Sequence, residues 1–398
     1  MLGGSFLILD FYSVLEYNSS RKGDRDMELL NFLNSHENWK ELLAAKPYCL
    51  NIKQDGEFWL FKYNMLESDL MLPLCREARG SIFIKVDGEW VCVCRSLDKF
   101  GNWGEDYADT NKIDWSQPVS VQEKIDGSII RCWCWNGLWH VSTNGTIDAF
   151  KAECGDSTYG DVFYSIVEKY TTVRAFFEQL DSSYTYWFEM VHPQYNTIVV
   201  HYHEPAIYFL GCRNMITMEE QELSPTELFY GIRTPQHFNY NNLDDILEAC
   251  HKMGEDEEGY VVCAYSQMKN SSFLRIKCKG DEYLKRHKLR GNGPLTVAKV
   301  VELWQQDSLD DFLAYFPEHK NYVDGIMQKI KNMYEKADIA FDVVKGFVVR
   351  KEFALRAKGY IKPIQSYLFA RLDNKVKCAR NYFKTMKTKN LAELIEEQ

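Results

Sequence analysis

The hydrophobic pattern of this chain changes its period once. Up to KLRGNGPL (residues 288–295), short β-branched and aromatic runs recur between Gly, Asp and Asn: SIFIKV, WVCVCRS, SIIRCWCW, LWHVST, TYWFEMV, TIVVHY, AIYFLGC, GYVVCAY and FLRIKC. Alternation bounded by turn residues predicts strands. One stretch, DVFYSIVEKYTTVRAFFEQL, instead spaces its apolar residues as a helix does. Strands interrupted in this irregular order predict an α+β unit of mostly antiparallel sheets. Beyond Pro294, LTVAKVVELWQ, NYVDGIMQKIKNMYEKADIAFDVVKGFVV and PIQSYLFARLDNKVKCARNYFKTM carry apolar residues three and four apart, which predicts an all-α domain over 291–398.

Length supports the division. A chain of 398 residues exceeds the usual reach of one hydrophobic core. We expect an extension over 1–40 with no assigned role, a strand-rich domain over 41–290 and the helical domain after it. Hydrophobic residues make up 45%, yet no apolar run is long and charge-free enough to span a bilayer. Met1–Leu9 is short and lacks the basic start of a secretory signal. The twelve cysteines are dispersed, and Cys92/Cys94 and Cys132/Cys134 fall two apart in strand-like runs. Such spacing suits buried thiols in a reducing compartment, and no Cys-x-x-Cys or Cys/His cluster offers zinc a site. A cytoplasmic protein without a membrane partner is expected. The formal net charge of −10 argues against binding nucleic acid through bulk charge, but its sign is uneven. Between Phe341 and Asn390 thirteen Lys/Arg stand against three Asp/Glu, a composition that suits either a polyanion or a solvated helix face.

Within VSVQEKIDGSIIRCW (residues 119–133), Lys124 interrupts an apolar run two residues before an Asp-Gly pair suited to a tight turn. A lysine there is ordinarily a solvated edge residue that blunts strand pairing. To act as a nucleophile it must lose its proton, and half-neutrality near pH 7 requires its pKa to fall by about three from about 10.4. Burial and neighbouring cations would supply that. Candidate partners stand at strand ends. WFEMV sets Glu189 among apolar residues, EDEEGYVVC sets Glu258 before Gly259 and a strand, and FLRIKCKGDEY sets Lys277 and Lys279 two apart on one strand face.

Taken in order, Lys-x-Asp-Gly, Glu in an apolar strand, Glu-Gly before a strand and Lys-x-Lys resemble the covalent nucleotidyltransferases: DNA ligases, RNA ligases and mRNA capping enzymes. REARGSIF (Arg76–Phe83) and RSLDKFGNWGE (Arg95–Glu105) resemble the N-terminal motifs of the phage-type single-strand RNA ligases, and FEMVHPQYNTIVV, YFLGCRN and RKEFALRAKG are similar to further segments of that family. The resemblance runs from Arg76 to the C terminus. It departs at Phe100-Gly101, where the family has an aromatic pair, and at STNGT, which places Thr143 and Asn144 where members commonly carry a basic residue.

The resemblance implies an ATP-grasp-like nucleotidyltransferase domain and an ATP-dependent RNA ligase that passes AMP from ATP to Lys124, then to an RNA 5′-phosphate, before a 3′-hydroxyl displaces it. By that likeness Lys277 and Lys279 serve the transferring phosphate, and Arg79 and Lys99 hold the triphosphate or the RNA-end phosphate. Asp126, Glu189 and Glu258 would hold Mg²⁺ or Mn²⁺, directly or through water. Gly127 and Gly259 would let backbone approach the nucleotide, and Arg213, with Tyr208 and Phe209, would join its pocket. The family also implies a monomer acting on RNA with 5′-phosphate and 3′-hydroxyl ends, nicked tRNA being its example, in a host cytoplasm if phage-encoded. Two other readings stand beside it. A DNA ligase or capping-type enzyme would follow Lys-x-Lys with a small β-barrel, and a non-catalytic RNA-binding protein of the same fold would not need intact Lys124, Glu258, Lys277 and Lys279.

Overall fold

The computed structural model describes residues 27–194, 199–222, 232–254, 256–269, 271–290, 295–347 and 349–397. The chain divides into two compact units, Met1–Leu284 and Lys285–Gln398, a few residues before the predicted boundary and within one helix, Asp281–Arg290.

The first unit begins with α1 (Glu28–Ser35) and α2 (Trp39–Ala44). Leu29, Leu30 and Leu33 lie on one face of α1 and bury against Phe61, Phe83 and Trp90. The Glu77 carboxylate accepts the N–H groups of Glu28 (3.1 Å) and Leu29 (2.8 Å), satisfying donors that a helix start leaves open. Residues 27–40 are therefore part of the strand-rich unit rather than of a separate extension; residues 1–26 lie outside the described residues.

Sheet one has the order β1 (Asn51–Asp55), β2 (Phe58–Lys62), β3 (Arg79–Val86), β4 (Glu89–Cys94), antiparallel throughout. Between β3 and β4, Asp87 and Gly88 take φ of 50° and 90°, the conformation that an Asp-Gly hairpin favours. The chain continues through β5 (Ser120–Glu123), β6 (Ser128–Trp135), β7 (Leu138–Thr143), α3 (Tyr159–Val167), α4 (Val173–Glu178), β8 (Tyr184–Val191), β9 (Ala206–Asn214), β10 (Glu220–Gln221), β11 (His237–Phe238), α5 (Leu243–His251), β12 (Gly259–Lys269) and β13 (Ser272–Lys279). Sheet two runs β10-β9-β8-β6-β7 and sheet three β11-β5-β12-β13.

Three local expectations change. The Asp126-Gly127 pair does not close a hairpin, because β5 belongs to sheet three and β6 to sheet two, and residues 124–127 carry the chain between them. The helical stretch 161–180 is two helices, broken where the Thr172 hydroxyl caps α4 by accepting the Ala175 N–H. Of TIVVHY, residues 197 and 198 lie outside the described residues, and Val199–Tyr202 is irregular. The amides of Val199 and Val200 donate to the Asp126 carboxylate instead of to a strand.

The second unit is helical over its described residues, from α6 (Val297–Gln305) through the long α7 (Lys320–Val344) to α8 (Arg350–Ala357) and α9 (Lys362–Leu372). It has its own core, including Val300, Trp304, Phe312, Ile330, Tyr367 and Phe383. No strand appears among its described residues, so the barrel expected of a DNA ligase or capping enzyme is not found there. Among the described residues no helix is long and apolar enough to cross a membrane. The twelve cysteines are free thiols, most of them buried.

Candidate active site

Three neighbouring strand ends build the centre of the site. The register of β5 on β12 places Glu123 opposite Tyr260, so the next amide, that of Lys124, donates to the Gly259 carbonyl (2.9 Å). On the far side of β12, β13 places Lys279 opposite Gly259. Glu258 immediately precedes that position and is 3% exposed. Its carboxylate accepts Lys124 Nζ on Oε2 at 2.5 Å and pairs with Lys279 on Oε1 at 3.0 Å. At both glycines the packing of the surrounding backbone already excludes a Cβ. A Cβ on Gly259, whose φ is +146°, would stand 2.1 Å from the Cys278 carbonyl oxygen, and one on Gly127 2.4 Å from that of Met190.

Lys124 faces a cleft of about 670 Å³. Glu189 reaches it from β8, opposite Ile129 of β6. Arg79, at the start of β3, and Lys277, on β13, close it with Phe100 between them: the Lys277 amine lies 4.6 Å and the Arg79 guanidinium carbon 5.7 Å from the ring centroid. The Phe100-Gly101 departure falls on a segment bonded to β13, since the Lys277 N–H donates to the Gly101 carbonyl (3.0 Å) and the Trp103 N–H to the Lys277 carbonyl (2.8 Å).

The charges separate into a paired and an unpaired set. Burial first, and then the charges of Lys99, Arg79, Lys124 and Lys279, hold the Lys277 pKa well below the ordinary lysine value. Burial and Arg79 lower that of Lys99 to about 8. One Arg79 nitrogen, Nη1, is buried without a hydrogen-bond partner. Lys124 behaves in the opposite sense to the expectation. Burial pulls its pKa down, but the carboxylates of Glu258, Glu189 and Asp126 outweigh burial and raise it. The depressed amines are those of Lys277 and Lys99, and the free protein holds Lys124 charged.

The expected metal ligands are not equivalent. Asp126 is engaged as an anchor: Oδ2 accepts the amides of Val199 and Val200 at 3.2 Å, and Oδ1 the Tyr283 hydroxyl at 3.3 Å. Among the described residues no three His, Cys, Asp or Glu side chains gather as a metal site. Glu189 does suit a cation. Its pKa is pushed up to about 7, by burial first and, against the pull of Lys124, by the Glu258 charge. A divalent ion beside it would hold it ionised.

Arg213 does not join the cleft. It is fully buried, pairs with Glu220 at 2.9 Å, and donates to the Ser271 carbonyl and the Ser272 hydroxyl, both at 2.8 Å. Phe209 belongs to the core beneath sheet two, and the Tyr208 ring lies 5.9 Å from the Arg233 guanidinium. The nucleotide-pocket expectation for these three is corrected to a structural role. Two residues escape the sequence reading. Tyr283 sets its ring 4.7 Å from the Lys279 amine while bonding Asp126; its signal is an aromatic four residues after Lys-x-Lys. Lys62 lines the cleft from the end of β2, signalled only by a cation closing the run FWLFK.

An RNA ligase of Rhodothermus phage RM378 is 27% identical over 412 residues, covering 87% of this chain and 92% of that protein. A protein of Autographa californica nuclear polyhedrosis virus, named as a putative bifunctional polynucleotide kinase/RNA ligase, is 28% identical over 68% of this chain and 39% of its own length. An archaeal ATP-dependent RNA ligase structure aligns with TM-score 0.44 at 13% identity, covering 77% of this chain and 78% of that one. A family model described as RNA ligase matches residues 77–283, a span that holds Arg79, Lys124, Glu189, Glu258 and both strand lysines, and the chain belongs to that RNA ligase family.

Proposed function

We propose that this RNA ligase uses ATP and joins RNA 5′-phosphate and 3′-hydroxyl ends through an adenylate on Lys124. The observation that carries the reading is the position of Lys124, fixed by Glu258 in a cleft also lined by Lys62, Arg79 and Lys277, which form no ion pair with a carboxylate among the described residues. In the first step Lys124 Nζ forms a bond to the α-phosphorus of ATP and pyrophosphate leaves. In the second an RNA 5′-phosphate oxygen attacks that phosphorus and the amine leaves. In the third an RNA 3′-hydroxyl attacks the 5′-phosphorus and AMP leaves. Charge neutralisation at fixed geometry is the main help such transfers need. Lys277, Lys279, Arg79 and Lys99 supply it. Mg²⁺ or Mn²⁺ held by Glu189 and Glu258 would add Lewis-acid stabilisation. A carboxylate drawn towards such an ion would release its hold on the Lys124 proton.

Lys124→Ala is expected to abolish covalent labelling by ATP while still sealing RNA that already carries a 5′-adenylate, because the last step uses the RNA hydroxyl. Labelling assays on denaturing gels and sealing of pre-adenylylated RNA check both arms. Wild-type labelling in the variant contradicts the assignment.

The lowered pKa values of Lys99, at about 8, and Lys277 predict proton uptake on binding. The Lys99 amine is partly neutral in the free protein near pH 8, burial and neighbouring cations bias Lys277 towards its neutral form, and a bound triphosphate raises both pKa values again. Calorimetry with α,β-methylene-ATP in two buffers of different ionisation enthalpy should show uptake at pH 8 and less of it in Lys277→Met. Zero uptake or release contradicts the cation wall.

Nicked, structured RNA such as tRNA is the substrate we propose, and the helical unit is its second point of attachment. Lys375, Lys377 and Arg380 are exposed there, and phosphate contacts of this kind add affinity without chemistry. Replacing the three by Glu in the full chain should leave labelling within about 2-fold of wild type and weaken binding of a nicked stem-loop. Its salt dependence should flatten by about one unit of slope for each phosphate that is no longer neutralised. Unchanged binding at two ionic strengths would make this unit a scaffold.

A further inference from the structure

The loop after β7 reads Thr143-Asn144-Gly145-Thr146 and carries no basic residue, although it lines the cleft on the side facing β3. It is held rigidly there. The buried guanidinium of Arg131 donates to the carbonyls of both Gly80 and Thr143, the Thr143 N–H donates to the Thr146 carbonyl at 3.0 Å, and Lys53 donates to the Gly145 carbonyl at 2.7 Å.

Against this loop lies Lys62. Its amine stands 3.5 Å from the place where a Cβ on Gly145 would sit. In the register of β2 on β3, Lys62 is directly opposite Arg79, and both side chains line the cleft. Like charges directly opposite each other on neighbouring strands repel. Neither residue forms an ion pair with a carboxylate among the described residues, and Arg79 Nη1 is buried with no hydrogen-bond partner. Burial, and then the charges of Lys53, Arg131 and Arg79, all lower the Lys62 pKa, with no carboxylate raising it. An anion between Lys62 and Arg79 would relieve every one of these costs.

We propose that Lys62 is a phosphate-contacting residue of the adenylylation site, and that the cation this chain lacks on the 143–146 loop is supplied beside it, from the end of β2. The proposal rests on the ATP-dependent reading of the cleft and adds a residue to it. Lys62 and Arg79 would grip the phosphates of ATP together, each through hydrogen bonds assisted by charge.

The test measures binding and labelling separately. Lys62→Ala should weaken α,β-methylene-ATP about 10-fold or more, the size of effect expected for losing a charged hydrogen bond, and should leave adenosine binding unchanged. Lys62→Arg should keep most of the affinity. The double variant Lys62→Ser/Asn144→Lys, which moves the cation from β2 to the loop, should recover labelling of Lys124 to within a few-fold of wild type. Equal binding of the analogue by wild type and Lys62→Ala overturns the proposal. So does a loss that neither the arginine nor the relocated lysine restores, since that marks Lys62 as a packing residue. If wild type binds the analogue through Lys62 but is not labelled by ATP, the phosphate contact stands and the adenylylation reading fails. Sealing of pre-adenylylated RNA by Lys62→Ala separates a contact to ATP, where sealing persists, from one to the RNA phosphate, where sealing falls with labelling.

Discussion

A single buried carboxylate, Glu258, is shared by two lysines, Lys124 just beyond β5 and Lys279 at the end of β13, and the order of the active site depends on that sharing. Lys124 stands where the chain leaves sheet three for sheet two, without a regular strand to hold it. Its backbone is tied once, to Gly259, and its amine is tied to Glu258. Removing one partner of such a buried pair typically costs about 3–5 kcal/mol, because the remaining charge keeps its desolvation penalty. The same carboxylate orients Lys279, whose amine also lies 4.7 Å from the Tyr283 ring, and Tyr283 in turn bonds Asp126. Lys124, Lys279 and the Asp126 anchor are therefore one coupled unit.

Arg79, Lys99, Lys277 and Lys62 form a second group, in which like charges lower the pKa values of the three lysines and Glu105 partly offsets this at Lys99. This arrangement is unfavourable in the free protein and becomes favourable when an anion fills the cleft. The two halves divide the work. In the function we propose, one positions the reactive amine and the other receives the phosphates from which that amine displaces a leaving group. Lys124 is charged at rest, so its activation belongs to the complex with substrate rather than to the free enzyme.

Much of this was legible in the sequence, for physical reasons that differ between residues. Alternating apolar runs located the strands, and Asp87-Gly88 and Asn136-Gly137 adopt the positive φ values their turns require. Lys277 and Lys279 share a strand face because the strand period is two. Glu258 was visible as an acid immediately before a glycine and a strand. What stayed hidden depended on tertiary register. Nothing local distinguishes Asp126-Gly127 from a hairpin turn, and only the change of sheet shows it as a crossing. Arg213 reads as well for a ligand contact as for a buried partner of Glu220. The sign of the Lys124 shift followed from a carboxylate 134 residues away, and Lys62 acquired meaning only from the strand that sets it opposite Arg79.

We propose that geometry, not intrinsic basicity, selects Lys124 as the nucleophile. Of the lysines around the cleft, Lys277 is the easier to deprotonate and Lys124 the harder. Incubation with α-labelled ATP, proteolysis and mass-spectrometric location of the AMP-bearing peptide decide between them. The account predicts AMP on Lys124 alone. AMP on Lys277, or spread over several lysines according to their neutrality, would contradict it.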